Sequence, residues 1–164
     1  MSRAIFLSAT LVVLSIGLSA SAQTPSAIPT VGARLSGYEE TPSILTPATG
    51  TFEASVNDNQ ELAFTLRYSG LSASVTAAHI HFAKHNVAGA IVAFLCGGGS
   101  KPACPQDGAV TGTVAASDII AVDQQGIPGG SFEALVDAIV SNSAYVNVHT
   151  TAHPAGEIRG QVRF

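Results

Sequence analysis

Residues 51–68, T-F-E-A-S-V-N-D-N-Q-E-L-A-F-T-L-R-Y, decide the fold class of this chain. Phe52, Ala54 and Val56 alternate with Thr51, Glu53 and Ser55; Leu62, Phe64, Leu66 and Tyr68 alternate with Glu61, Ala63, Thr65 and Arg67. A period of two sends one set of side chains to a core and the other to the opposite face, as in a half-buried strand. Asn57-Asp58-Asn59 between the two runs supplies the turn of a hairpin. Working outward, the same alternation predicts strands over 31–37, 75–82, 90–95, 108–115, 144–150 and 157–164. About eight short strands divided by turn residues describe an all-β, antiparallel Greek-key sandwich or barrel. One segment departs from the pattern. After Pro128-Gly129-Gly130, Ser131 is placed to cap a short helix in which Phe132, Leu135, Val136 and Ile139 recur at i, i+3, i+4 and i+7, ending near Ser141-Asn142.

The first residues read differently. Arg3, an apolar run from Ala4 to Leu18 and the small-x-small triplet Ala20-Ser21-Ala22 form the pattern of a signal peptide over 1–22, cleaved before Gln23. The run is short for a bilayer, which needs about 20 apolar residues, so no transmembrane segment is expected after cleavage. Residues 23–29, rich in Ser, Thr and Pro, read as a flexible leader, and 30–164 as one β domain. The expected destination is secreted or periplasmic. Removing Arg3 leaves 6 of the 7 basic residues against 11 acidic ones, a formal charge of −5. Without a basic cluster, nucleic acid is not an expected partner. Cys96 and Cys104 bracket G-G-G-S-K-P-A, a segment able to fold back on itself, and export favours a disulfide between them.

All five histidines fall in two places, A-A-H-I-H-F-A-K-H at 77–85 and H-T-T-A-H at 149–153. On a strand, His79 and His81 share one face while Ala78, Ile80 and Phe82 take the other. By the same rule Val146 and Val148 point inward and Tyr145, Asn147 and His149 lie on the polar face. Ile158 and Val162 point inward, leaving Glu157, Arg159 and Gln161 outside. If the two histidine strands share a sheet, three imidazoles converge on its outer face, a donor set suited to copper first and zinc second. His85 or His153, on adjoining loops, are candidates for a fourth ligand, with Asn147 or Glu157 holding a ring N–H from behind. The alternative is a hydrogen-bonded network that holds loops. Glu157 and Arg159 also invite an acid/base reading, yet two residues apart on a strand they pair equally well across the ladder. No nucleophile elbow, zinc-protease helix, phosphate loop or dinucleotide fingerprint is present. The reading therefore leans away from an enzyme.

Several of these pieces carry a resemblance. A-H-I-H-F at 78–82, G-A-I-V-A-F-L-C at 89–96, Y-V-N-V-H-T at 145–150 and P-A-G-E-I-R-G-Q-V at 154–162, with Gly37-Tyr38-Glu39-Glu40-Thr41-Pro42 near the start, resemble the CHRD domain. The resemblance spans roughly residues 30 to 164 and implies an extracellular β-sandwich module; the partner expected is an unidentified extracellular protein or small ligand. A weaker likeness, at the level of fold, is to copper/zinc superoxide dismutase, which also places H-x-H on a strand of an eight-stranded Greek-key barrel. His79 and His81 match that pair, with Phe82 close behind; the zinc-loop residues of that family have no counterpart. The expectation is thus an exported binding module that uses His79, His81, His149, Glu157 and Arg159. Its rivals are a dismutase-like copper metalloenzyme and a structural surface protein.

Overall fold

A computed structural model describes residues 30–164; the expected signal peptide at 1–22 and leader at 23–29 lie outside the described residues. Eight strands follow in chain order: β1 (Val31–Ser36), β2 (Thr49–Val56), β3 (Leu62–Ser69), β4 (Val75–Phe82), β5 (Ala90–Cys96), β6 (Gly108–Val114), β7 (Ala144–Thr150) and β8 (Ile158–Gln161). Among the described residues one α-helix, α1 (Phe132–Val140), precedes β7. The described strands form one antiparallel sheet in the order β5-β4-β7-β8-β1-β2-β3-β6. Its edge strands β5 and β6 come together, so the sheet nearly closes into a barrel. Strand order around that barrel departs from chain order where β6 joins β3 and β7 joins β4, as a Greek key requires.

Local sequence explains each device. The 57–59 turn is held by Asn57, whose Oδ1 accepts from the N–H groups of Asn59 and Glu61, both at 3.0 Å. Inward-facing residues of every strand meet in one core that includes Phe52, Leu62, Leu66, Ile80, Leu95, Val146, Val148 and Ile158. Phe52 and Phe64 stack there with ring centroids 6.1 Å apart. Ser131 caps α1 by accepting from the Ala134 N–H at 3.3 Å. Leu135, Ala138 and Ile139 are its buried residues, and Asn142, at φ 54°, turns the chain into β7. No helix among the described residues is long and apolar enough to cross a membrane.

One expectation is overturned. Alternation alone predicts that Asn147, His149, Glu157 and Arg159 face solvent, but all are buried, Glu157 at 0 % and Arg159 at 2 % exposure. All seven residues of β7 are buried. The cause is a second layer of loops lying over this part of the sheet. Segments around 40–46, 72, 84–89 and 154 reach the outward-facing side chains of β4, β7 and β8 through hydrogen bonds. The outer face is consequently a second, polar interior.

Cys96 at the end of β5 is bonded to Cys104 across a separation of eight residues. Closing so short a loop restricts the unfolded chain by about 2.5 kcal/mol on the loop-entropy model. Replacing both cysteines by serine is expected to lower unfolding free energy by about that amount. A urea titration of the two proteins side by side would expose an error here if the midpoints coincide.

Candidate metal centre

Pairing between β4 and β7 sets His79 opposite Asn147, His81 opposite Tyr145 and Ala77 opposite His149. His149 is therefore a diagonal neighbour of His79 on the same face, within contact range for rings. On the other side of β4, the register with β5 shifts between Ala78 and His79 and again between Ile80 and His81. Such bulges re-aim side chains. Here Phe94 is set opposite His79, and the two rings meet edge to face at 4.5 Å. A Cβ on Gly98 would run into the Phe94 ring, so glycine there lets the disulfide loop lie flat against it.

The outcome is convergence. His79, His81 and His149 each offer a ring nitrogen, and these atoms lie within 4.8 Å of one another. Backbone carbonyls decide which nitrogen is free. His81 Nδ1 lies 2.9 Å from the Gly89 carbonyl, and His149 Nδ1 lies 2.9 Å from the Pro154 carbonyl. A carbonyl only accepts, so both Nδ1 atoms carry hydrogen and both Nε2 lone pairs are directed inward. His79 Nδ1 lies 3.0 Å from His149 Nε2. His79 Nε2 and His81 Nε2 are buried and have no hydrogen-bond partner among the described residues. Burial, then the neighbouring His149 and His81, hold the His79 ring down at about 3. Burial likewise takes His81 to about 4, against the pull of the Gly89 carbonyl, and lowers His149. All three rings are neutral at physiological pH, the form in which imidazole ligates a metal.

The surrounding residues fix this geometry. The Tyr145 ring stacks on His81 at 4.6 Å and 7°, and the Arg159 guanidinium carbon lies 3.4 Å from the centre of the Tyr145 ring on which it rests. Arg159 donates to the carbonyls of Lys84 and Val87 and to Thr41 Oγ1, pinning two loops over the site. Asn147 Oδ1 lies 2.9 Å from His149 Nε2. Glu40, which the sequence does not mark as a site residue, is buried beside Asn147; a Cβ on Gly156 would collide with both side chains. Burial raises the Glu40 carboxyl to about 6, against the pull of the Thr41 N–H, Arg159 and Asn147.

Three expected participants are not brought into the cluster. His85 is exposed and its Nε2 lies 2.6 Å from a Glu39 carboxylate oxygen, so a contact with Glu39 occupies it. His153 sits in the β7–β8 turn, where its carbonyl accepts from Gly156 N–H, and its ring is outside the converging group. Glu157 holds no ring N–H. Its carboxylate instead accepts from Thr46 Oγ1, Ser72 N–H, Ser72 Oγ and Thr150 Oγ1, all at 2.8–2.9 Å. Burial works to raise its pKa, but these four donors outweigh it and hold the carboxyl below the usual range. It is a structural clamp between loops and strands. Two neighbours of the cluster escape a reading of the sequence: Glu40 lies in the 37–42 segment without a periodic signal, and Phe94 reads as one more strand apolar.

The neutral rings make a pH prediction. Unfolded, each takes a proton near its ordinary 6.5; folded, burial delays this to about 3 for His79 and about 4 for His81. The unfolded chain thus binds more protons across that window, and stability falls as pH drops below about 6.5, by up to about 1.4 kcal/mol per pH unit for each ring. Glu40 opposes the trend with one proton between about 6 and 4.5. Urea unfolding of metal-free protein at pH 7, 6 and 5 measures the slope; a profile that is level or rising toward acid would show the rings charged in the fold.

Residues 31–162 match the family model of the CHRD domain. No curated protein and no solved structure matches the chain.

Proposed function

The chain belongs to the CHRD-domain family, and from that premise we propose that it is an exported binding module whose His79, His81 and His149 take up a transition metal, copper first and zinc second. One observation carries the reading: three neutral imidazole nitrogens meet within 4.8 Å, two buried ring nitrogens having no partner among the described residues. An unsatisfied buried polar atom is disfavoured by about 1–3 kcal/mol, and two in one cluster favour a ligand that satisfies both. Three imidazoles with no carboxylate among them match the preferences of copper and zinc and not those of calcium or magnesium. The metal would bring a Lewis-acidic or, for copper, redox-active centre. The protein's part is to hold the His81 and His149 lone pairs inward, through the Gly89 and Pro154 carbonyls, with the buried His79 ring beside them, and to limit water around them. The disulfide supports export, since such bonds persist in oxidising compartments.

Dialysing the purified domain against Cu(II) and then Zn(II), beside a His79→Ala/His81→Ala variant, tests this. The parent is expected to retain one ion per chain and the variant none above background. Equal, weak uptake by both would leave the cluster as a loop-holding network.

A further inference from the structure

The contact between Asn147 and His149 is of an unusual kind. The His149 Nδ1 hydrogen is committed to the Pro154 carbonyl, so Nε2 presents a lone pair. Asn147 nevertheless turns its oxygen, not its NH2, toward that lone pair at 2.9 Å. Asn147 acts on His81 as well, so its amide borders two of the three rings. Two acceptors face one another. His79 Nδ1, 3.0 Å from the same Nε2, can give that nitrogen one hydrogen, which leaves the Asn147 oxygen without a donor at the cluster.

The reason for the orientation lies behind the amide. Asn147 Nδ2 and Glu40 Oε1 share the space left by the missing Cβ of Gly156, and Asn147 acts directly on the Glu40 carboxyl. A carboxylate accepts only, so it draws the NH2 to its own side and turns the oxygen inward. Glu40 is itself buried, and its Oε1 has no completed hydrogen bond among the described residues. Its other oxygen accepts from the Thr41 N–H at 3.3 Å, which holds the carboxyl in place.

Resting on the metal-binding reading above, we propose that Asn147 supplies a fourth, oxygen donor to the site and that Glu40 is the positioning residue that keeps this oxygen turned inward. The donor spacing agrees with it. Asn147 Oδ1 and His149 Nε2, 2.9 Å apart and each about 2.0–2.1 Å from a shared ion, would subtend close to a right angle, the angle of tetragonal Cu(II); a tetrahedral zinc site sets its donors about 3.3 Å apart. Glu40 also contributes a negative charge to a pocket whose ring ligands contribute none.

The substitution Glu40→Gln tests the assignment. The Thr41 N–H retains the carbonyl oxygen of the introduced amide, so the new NH2 faces Asn147, whose own amide reverses and donates to His149 Nε2. Two opposite effects are expected. Cu(II) affinity at pH 7.5, measured by competition with a chelator, falls ten- to a hundredfold, with a change in the copper EPR hyperfine pattern. The metal-free protein unfolds at an unchanged or higher temperature, because the reversed amide satisfies the ring nitrogen; a residue that merely supported the fold would lower both. Adding Asn147→Asp to Glu40→Gln restores an inward oxygen, since a carboxylate presents one at each end, and copper affinity is expected to recover. If Glu40→Gln binds copper as tightly as the parent with the same spectrum, or the double variant fails to recover, the fourth donor is not Asn147. If the unaltered chain takes up no copper, the parent reading itself falls, and this one with it.

Discussion

Pairing of β4 with β7 is the constraint on which the rest of the molecule hangs. These strands are far apart in sequence, and His79 and His149 in particular are 70 residues apart. Nothing local brings them together. What fixes their register is the inner face, where Ala78, Ile80, Val146 and Val148 are all essentially sealed from solvent. A slip of one residue would turn both rows over and put histidine into the core, so burial of small and branched apolar side chains decides where the imidazoles go. The chemistry on the outer face is thus set by packing on the other.

The second constraint is that the outer face is itself buried, and polar groups removed from water need partners. Glu157 receives four donors from three chain segments, Arg159 supplies three hydrogen bonds and rests on Tyr145, and Gln161 donates to the carbonyls of Ala83 and Asn142. Each of these side chains ties a loop to the barrel. With the loops so fastened, the orphaned atoms among the described residues are few: one oxygen each of Glu40 and Gln161, and Nε2 of His79 and His81. Three of the four lie in or beside one cluster. The same layer that satisfies a buried carboxylate fourfold leaves these neighbouring atoms bare, and they are the ones the proposed ligand would satisfy.

Much of this was legible before the fold was known, and the boundary is physical. Alternation gave β4 and β7 their limits, and the i, i+3, i+4, i+7 spacing with Ser131 gave α1, because these signals are local. The same alternation placed His79, His81 and His149 on one side of their strands. Whether the strands were neighbours was not legible, since pairing depends on the whole sheet. Alternation also misled. A polar residue at every second position reads as solvated, yet the covering loops have no periodicity of their own, so the burial of Asn147, Glu157 and Arg159 left no trace in the pattern. Glu157 and Arg159 looked like a functional pair and instead fasten loops. Glu40 looked like nothing in particular, because its role arises only where the 37–47 segment meets the bare Cα of Gly156.

The cluster also distinguishes between the cations that compete for it. A proton attaches to one ring nitrogen and needs a single acceptor along its bond, and in a buried site it brings a charge that few groups here can offset. Desolvation makes that unfavourable, and Arg159 adds its own repulsion at His81. A metal ion meets the same desolvation but accepts lone pairs from several directions at once, replacing its lost water with the ring nitrogens that already face inward. The features that make these histidines poor bases, burial and mutual proximity, are therefore the ones that favour a multidentate ligand. Depressed basicity and the proposed metal affinity would thus share one cause, the convergence of neutral rings under a layer of loops.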